Sequence, residues 1–280
     1  MTARRSPYDG SAIVFATMHD KQRLADDSFA ELLGATVVAP EHLDTDQFGT
    51  FAGDIPRTLS PYHAALVKAR LAMQISGVPF ALASEGSFTS LLGLGVENTE
   101  LLLFIDSERG LELVESSTMD WPLPPGGTVH SAAEAVAFAD AIGFPAQGLT
   151  LRAVDDNGLS IVKDIPTLGE LERHVERSLG EGSMVTLIAD YRAHRSPLRA
   201  HRIRALCERM ALRLATPCPR CASPGFGRVA PERGVPCAQC GRATDLIAAD
   251  IDGCGGCGHQ ERRPRTVTVA DPGYCDHCNP

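Results

Sequence analysis

The chain is predicted to be an α/β protein, a mixed sheet with helices on both faces, that carries a small C-terminal zinc-ribbon module. Two observations carry the main body. Short apolar runs of strand length alternate with helical patterns from Ala12 to Ala189, and Ser-Pro pairs at Ser60-Pro61 and Ser196-Pro197 mark helix starts. The third is a set of four C-x-x-C pairs: Cys218 and Cys221, Cys237 and Cys240, Cys254 and Cys257, Cys275 and Cys278. A length of 280 residues accommodates one sizeable core plus a metal-stapled module, with units expected at 1–215 and 216–280.

Ala12 to Thr17 reads as a first strand, Gln22 to Leu33 as a helix stopped by Gly34, and Ala35 to Ala39 as a second strand. A polar loop, Asp44 to Phe51, precedes a helix from Ser60-Pro61 to about Ile75, and Pro79 to Ala83 is a third, buried strand. Glu100 to Asp106 and Leu111 to Glu115 flank Ser107-Glu108-Arg109-Gly110 as an antiparallel hairpin. Ser131 to Ile142 and Leu168 to Leu179 are helices, Leu149 to Val154 and Met184 to Ala189 strands. A basic helix opens at Ser196, which is expected to cap it, and ends near Thr216.

Eight thiolates suit two tetrahedral, structural zinc ions, because four sulfurs leave no coordination position open for water. Disulfides or redox pairs are the competing use, and the fourfold repetition favours metal. Sequential pairs sharing an ion give two stacked ribbons; alternate pairs give a cross-braced module. The sequential arrangement is favoured because each half then closes its own short loop. Gly241 and Gly258 follow the second cysteine of their pairs, where a side chain is expected to crowd the sulfur. His259 and His277 read as neighbours of the ligands, and Cys207 as a small apolar residue on a helix.

The net charge is -9, unevenly spread. From Tyr191 onward 14 arginines meet 8 acids, leaving the rest of the chain at -15. Arg192, Arg195, Arg199, Arg202, Arg204, Arg209 and Arg213 fall in a segment whose one acid is Glu208, either a solvated basic helix or a phosphate-binding face. Met1-Thr-Ala-Arg-Arg-Ser-Pro lacks the apolar run of a signal peptide, and no stretch reaches the length of a membrane span, so a cytoplasmic protein without a membrane partner is expected. Oligomeric state leaves no signal.

Three polar clusters follow strands, where open α/β sheets place ligands. Thr17, His19 and Lys21 follow the first; Ser84, Glu85, Gly86 and Ser87 the third; Asp190, Arg192 and His194 the last, with Arg199 just inside the next helix. Glu85, His19 and Asp190 are the candidate catalytic groups. Thr17, Lys21, Ser84, Gly86, Ser87, Arg192, His194 and Arg199 are the candidate substrate contacts, with Gly86 expected to let a ligand approach the backbone. Carboxylates with lysine and arginine suit a Mg²⁺ and phosphate site; Asp44 and Asp46 are further candidate ligands.

Ala16-Thr17 with Lys21, Ala65-Leu66-Val67-Lys68-Ala69 and Ser84-Glu85-Gly86-Ser87, followed by the Glu100 to Glu115 hairpin, resemble motifs of the house-cleaning nucleoside triphosphate pyrophosphatases, the inosine/xanthosine triphosphatase and Maf-type superfamily. The likeness spans roughly residues 12 to 125. His19 stands where that superfamily has asparagine, and its Asp-Asp-Ser-Gly loop is absent. Taken whole, with Asp44 to Phe51, Arg192-Ala193-His194 and the closing Tyr274 to Pro280, the chain resembles a bacterial family of unknown function. The first resemblance implies Mg²⁺-dependent hydrolysis of a nucleotide or other phosphorylated small molecule, with Lys68 as a further substrate contact that binds phosphate. The alternative is a non-enzymatic protein whose ribbons and arginine helix grip nucleic acid or a partner.

Overall fold

The computed structural model describes residues 5–90, 96–124 and 126–280, so the first four residues of the start considered above lie outside it. The architecture is mixed α/β with a separate cysteine module. The first sheet holds β1 (Ala12–Phe15), β2 (Thr36–Val38), β3 (Phe80–Ser90), β4 (Val96–Asp106) and β5 (Leu111–Trp121) in the order β2-β1-β3-β4-β5. Strand β1 runs parallel to β2 and β3, and β3, β4 and β5 form an antiparallel meander.

Helices cover both faces because successive strand residues point to opposite sides. Ile13, Phe15, Leu82, Leu102 and Phe104 meet α1 (Asp26–Leu33) and α5 (Pro197–Ala215). Val14, Ala81, Ala83 and Leu103 meet α2 (Pro61–Ser76) through its Ala65, Ala69 and Ala72, whose small side chains let the helix axis approach the sheet. Ser60 accepts from the His63 amide and Pro61 occupies the first turn of α2, as the sequence predicts. Cys207 is fully buried on α5 among apolar neighbours, and burial pushes its thiol far above the usual range.

A second, antiparallel sheet has its own core. It holds β6 (Gly127–Val129), β7 (Leu149–Asp155), β8 (Gly158–Val162) and β9 (Met184–Ala189) in the order β6-β9-β7-β8. The helices α3 (Ala132–Ile142) and α4 (Leu168–Gly180) bring Ala135, Ala139, Leu171 and Val175 onto Leu151, Val185 and Leu187. The strands read as one sheet thus fall in two, because β9 finds its partners in β6 and β7.

Five local features differ from the sequence reading. Strand β3 runs through Ser84 to Ser87, read above as following a strand that ends at Ala83, because each of these residues pairs in register with β4. The hairpin strands are 11 residues each, and the helix read from Gln22 begins as a 3-10 turn, Lys21–Leu24. Ser196 does not cap α5: its φ/ψ of -131°/97° leave the hydroxyl buried without a partner, although Pro197 does occupy the first turn. Gly86 does not open the backbone to a ligand; what approaches it is an ion pair described below.

The cysteine module follows α5 directly. It is a three-stranded antiparallel sheet of β10 (Gly227–Arg233), β11 (Ile247–Gly253) and β12 (Gln260–Pro264) in sequence order. Arg213 of α5 donates to the Gly225 carbonyl at 3.2 Å, and a Cβ at Gly225, which has φ +86°, would lie 2.5 Å from Leu113 Cδ1. Among the described residues no helix is long and apolar enough to cross a membrane.

Candidate functional site

The end of β1, the middle of β3, the first turn of α5 and the end of β9 meet across one cleft with a cavity of about 60 Å³. His19, Lys21, Lys68, Glu85, Asp190, Arg192 and Arg199, nominated from separate parts of the sequence, all line it. Arg57, Lys163 and Phe51 line it too, and sequence reasoning missed them. Phe51 belongs to the polar loop noted above; Arg57 and Lys163 stand in no pattern that marks them.

Period-two alternation on β3 organises the cations. Glu85 points to the α2 side, where Lys68 Nζ donates to Oε1 and Arg57 Nη2 to Oε2 at 3.2 Å. The Ala-x-x-Lys-Ala segment of α2 therefore packs its alanines on the sheet and delivers Lys68 to the strand's carboxylate. Ser84 and Gly86 point to the other side. Lys21 Nζ donates to Ser84 Oγ at 3.1 Å and reaches the Ser84 carbonyl at 3.5 Å. Burial first, then the nearby Arg199, pushes the Lys21 ammonium down to about 8 against the opposing pull of Glu85 and Glu100.

Arg199 is buried and bidentate to the buried Glu100, at 2.9 and 2.8 Å, and donates to the Tyr191 carbonyl at 2.7 Å. Gly86 pairs with Glu100 across the ladder, and its lack of a side chain makes room for this pair. At this corner Lys21, Arg57, Lys68 and Arg199 meet two carboxylates, Glu85 and Glu100.

On the opposite wall Arg192 holds both oxygens of Asp190, with Nη2 at 2.6 Å from Oδ2, and also reaches Asp164 at 2.8 Å. Lys163 pairs with Asp54 at 2.8 Å, tying the loop after residue 44 to the second sheet. His19 Nε2 stands 3.8 Å from Asp46 and has no hydrogen-bond partner; this contact, with Lys163 and Lys68 further off, holds the Asp46 carboxyl below its usual range. The His194 ring lies 4.4 Å from that of His19, and partial burial, the His19 ring and Arg192 lower its basicity.

The remaining nominated residues stand at the margin. The Thr17 hydroxyl accepts from the His19 amide at 3.0 Å and orients that turn. Ser87 offers its carbonyl to Asn98 at 3.2 Å. Asp44 accepts from the Asp46 amide at 2.8 Å.

A Mg²⁺ ion held by Glu85 does not fit this arrangement. Both Glu85 oxygens and both Asp190 oxygens already accept from cationic side chains. Among the described residues the groups of three or more His, Cys, Asp or Glu within metal reach are two sets of four cysteines.

Of the α5 arginines, Arg199, Arg202 and Arg213 turn inward, whereas Arg204 and Arg209 are exposed. Arg202 donates to the Asn98 side chain and lies 4.8 Å over the Trp121 ring, while Arg209 and Arg213 pair with Glu115 at 2.8 and 2.9 Å. The counter-charges absent from the helix's own sequence come from β4 and β5.

The two cysteine clusters are Cys218, Cys221, Cys254 and Cys257, and Cys237, Cys240, Cys275 and Cys278. Alternate pairs share a site, so the sequential pairing favoured above is incorrect. The reason is the intervening strands. Strand β10 carries the chain from one cluster to the other over 7 residues, roughly 20 Å, β11 returns it and β12 carries it out again.

Sulfur separations of 3.6 to 3.9 Å match the edge of about 3.8 Å expected for a tetrahedron with Zn–S bonds of ~2.3 Å. The amides of Cys240 and Gln239 help bring the Cys237 thiol down to about 7, and those of Cys221 and Arg220 oppose burial to bring Cys218 to about 6. Gly241 and Gly258 are needed for their φ of +73° and +70°, not to avoid crowding, since a Cβ at either would meet open space. His259 stacks near Phe226 and bonds Glu261 at 3.0 Å, and His277 is exposed.

Fold and site together define an α/β protein with a cation-lined cleft and two Cys₄ zinc-binding clusters. The chain belongs to the family described as Domain of unknown function (DUF6671), whose match covers residues 68–280, from the cleft's Lys68 through both clusters. No curated protein matches the sequence.

Proposed function

We propose that the chain binds a phosphorylated small molecule in the cleft and hydrolyses its phosphoester or phosphoanhydride bond. One observation carries the reading: Lys21, Lys68 and Arg57 converge on a corner where Glu85 is shared by two of them and Lys21 has no carboxylate. Fixed cations in a partly water-excluded cleft stabilise the charge that develops on a transferring phosphoryl group. They supply from the protein what the superfamily resemblance assigns to Mg²⁺, and any Mg²⁺ enters on the substrate's own phosphates.

His19 has an unpartnered Nε2 in the cleft wall, 3.8 Å from Asp46, and is placed to accept a proton. In the reaction a water oxygen bonds phosphorus, its proton passes to His19, the bond from phosphorus to the leaving oxygen breaks, and the Lys21 ammonium, an acid with pKa near 8, protonates that oxygen. Glu85 and Asp190 position Lys68, Arg57 and Arg192. The competing nucleic-acid reading has less support, because Arg199, Arg202, Arg209 and Arg213 are engaged within the fold.

Phosphate release from a panel of phosphomonoesters and nucleoside triphosphates, with and without Mg²⁺, tests this. Turnover by the intact chain that His19→Asn removes while phosphate binding persists is expected. No release from any substrate in either condition would reject hydrolysis.

A further inference from the structure

We propose that the cleft's ligand is a compact phosphate ester without a nucleobase, an inference that rests on the phosphate reading above and narrows it. The cavity of about 60 Å³ gives room for roughly four to six water-sized groups. That suits a phosphoryl group and little more, whereas ligand pockets for larger molecules run to ~300–1,000 Å³. The loop that roofs it is fastened on both walls, by Arg57 to Glu85 at 3.2 Å and by Asp54 to Lys163 at 2.8 Å.

Each aromatic ring that lines the cleft already has a ring or a guanidinium packed against it. Phe51 is covered by the guanidiniums of Arg57 and Arg199, at 4.6 and 4.9 Å from its centroid. Tyr191 is stacked on Phe88 at 3.9 Å with rings 12° from parallel, and His19 lies against His194. Base recognition draws on stacking, and here each candidate platform already has a partner. The charge balance agrees: Lys21, Arg57, Lys68 and Arg199 against Glu85 and Glu100 leave the corner at +2, the complement of a phosphomonoester dianion. Thr45, Thr150 and Tyr191 are uncharged polar lining residues able to bond a short hydroxylated or carboxylated remainder, while the Thr50 hydroxyl is already bonded to Asp54.

Isothermal titration of the intact, zinc-loaded chain with inorganic phosphate, phosphoglycolate, ribose 5-phosphate and adenosine monophosphate tests the inference. Phosphoglycolate or ribose 5-phosphate should bind at least as tightly as inorganic phosphate, adenosine monophosphate should gain nothing over ribose 5-phosphate, and Lys21→Met should weaken each by about tenfold or more. Adenosine monophosphate binding about tenfold tighter than ribose 5-phosphate would overturn the inference and leave the phosphate reading standing. Unchanged affinity in Lys21→Met would place the anion elsewhere and overturn it as well. Absence of binding by all four would reject the phosphate reading and this inference with it.

Discussion

Gly86 faces Glu100 across the β3–β4 ladder, and a methyl group at residue 86 would lie 2.5 Å from Glu100 Oε2 and 2.9 Å from Arg199 Nη2. The glycine is thus a condition for the buried pair that fixes the first turn of α5 against the first sheet. Gly86→Ala is expected to cost about 1–3 kcal/mol through overpacking, and toward ~3–5 kcal/mol if the pair separates. Chemical denaturation at pH 7 measures it, and an unchanged midpoint would mean that the pair can shift freely.

Lys21 sets function against stability. Its folded pKa of about 8 lies below the ordinary lysine value of 10.5, so between those values the unfolded chain holds the proton more tightly. The penalty on the fold is complete below pH 8 and is relieved as pH rises from 8 toward 10.5. Lys21→Met should therefore be more stable than the parent at pH 7, by roughly 1–3 kcal/mol, with the gain shrinking above pH 8. A variant less stable at pH 7 would show that the ammonium is held by more than Ser84.

Much of the first sheet is legible in the sequence because its inner strands are apolar runs, as Ile13 to Phe15 and Ala81 to Ala83 show. The outer reaches of β3, β4 and β5 are not. Ser84, Asn98 and Glu100 are buried polar residues whose partners, Lys21, Arg202 and Arg199, are distant in sequence, and buried polar side chains break the apolar alternation that marks a strand. The same distance hides the inward turn of Arg199, Arg202 and Arg213. Most cleft residues were found by their places after apolar strands and Lys68 by its Ala-x-x-Lys-Ala motif, whereas Arg57 and Lys163 sit in irregular segments where charge marks only solubility. The cysteine motif fixes the ligands, but how they pair depends on which way the chain runs between them.

Cysteine connectivity has a direct genetic readout. In the cross-braced module Cys218→Ser with Cys254→Ser damages one site, so the double variant should retain one zinc per chain, and Cys218→Ser with Cys237→Ser should retain none. Metal analysis of the two proteins decides it. The reverse pattern would restore sequential pairing.

Ala222 occupies the knuckle position held by Gly241 and Gly258 elsewhere, with φ of +61°. An L-residue there costs roughly 1 kcal/mol that glycine avoids. Ala222→Gly should therefore raise the stability of the first cluster, read as slower zinc loss to a chelator. Faster loss would contradict the backbone argument.

The central claim is that Lys21, Lys68 and Arg57 form a phosphoryl-binding corner. Titration of inorganic phosphate into the zinc-loaded parent and into Lys21→Met at pH 7, with far-UV circular dichroism and zinc content matched, tests it most directly. The account predicts saturable binding to the parent and an affinity lower by about tenfold or more in the variant, since one cationic contact of about 1.4 kcal/mol is lost. Equal affinity in the two proteins, or no binding to the parent, would contradict it.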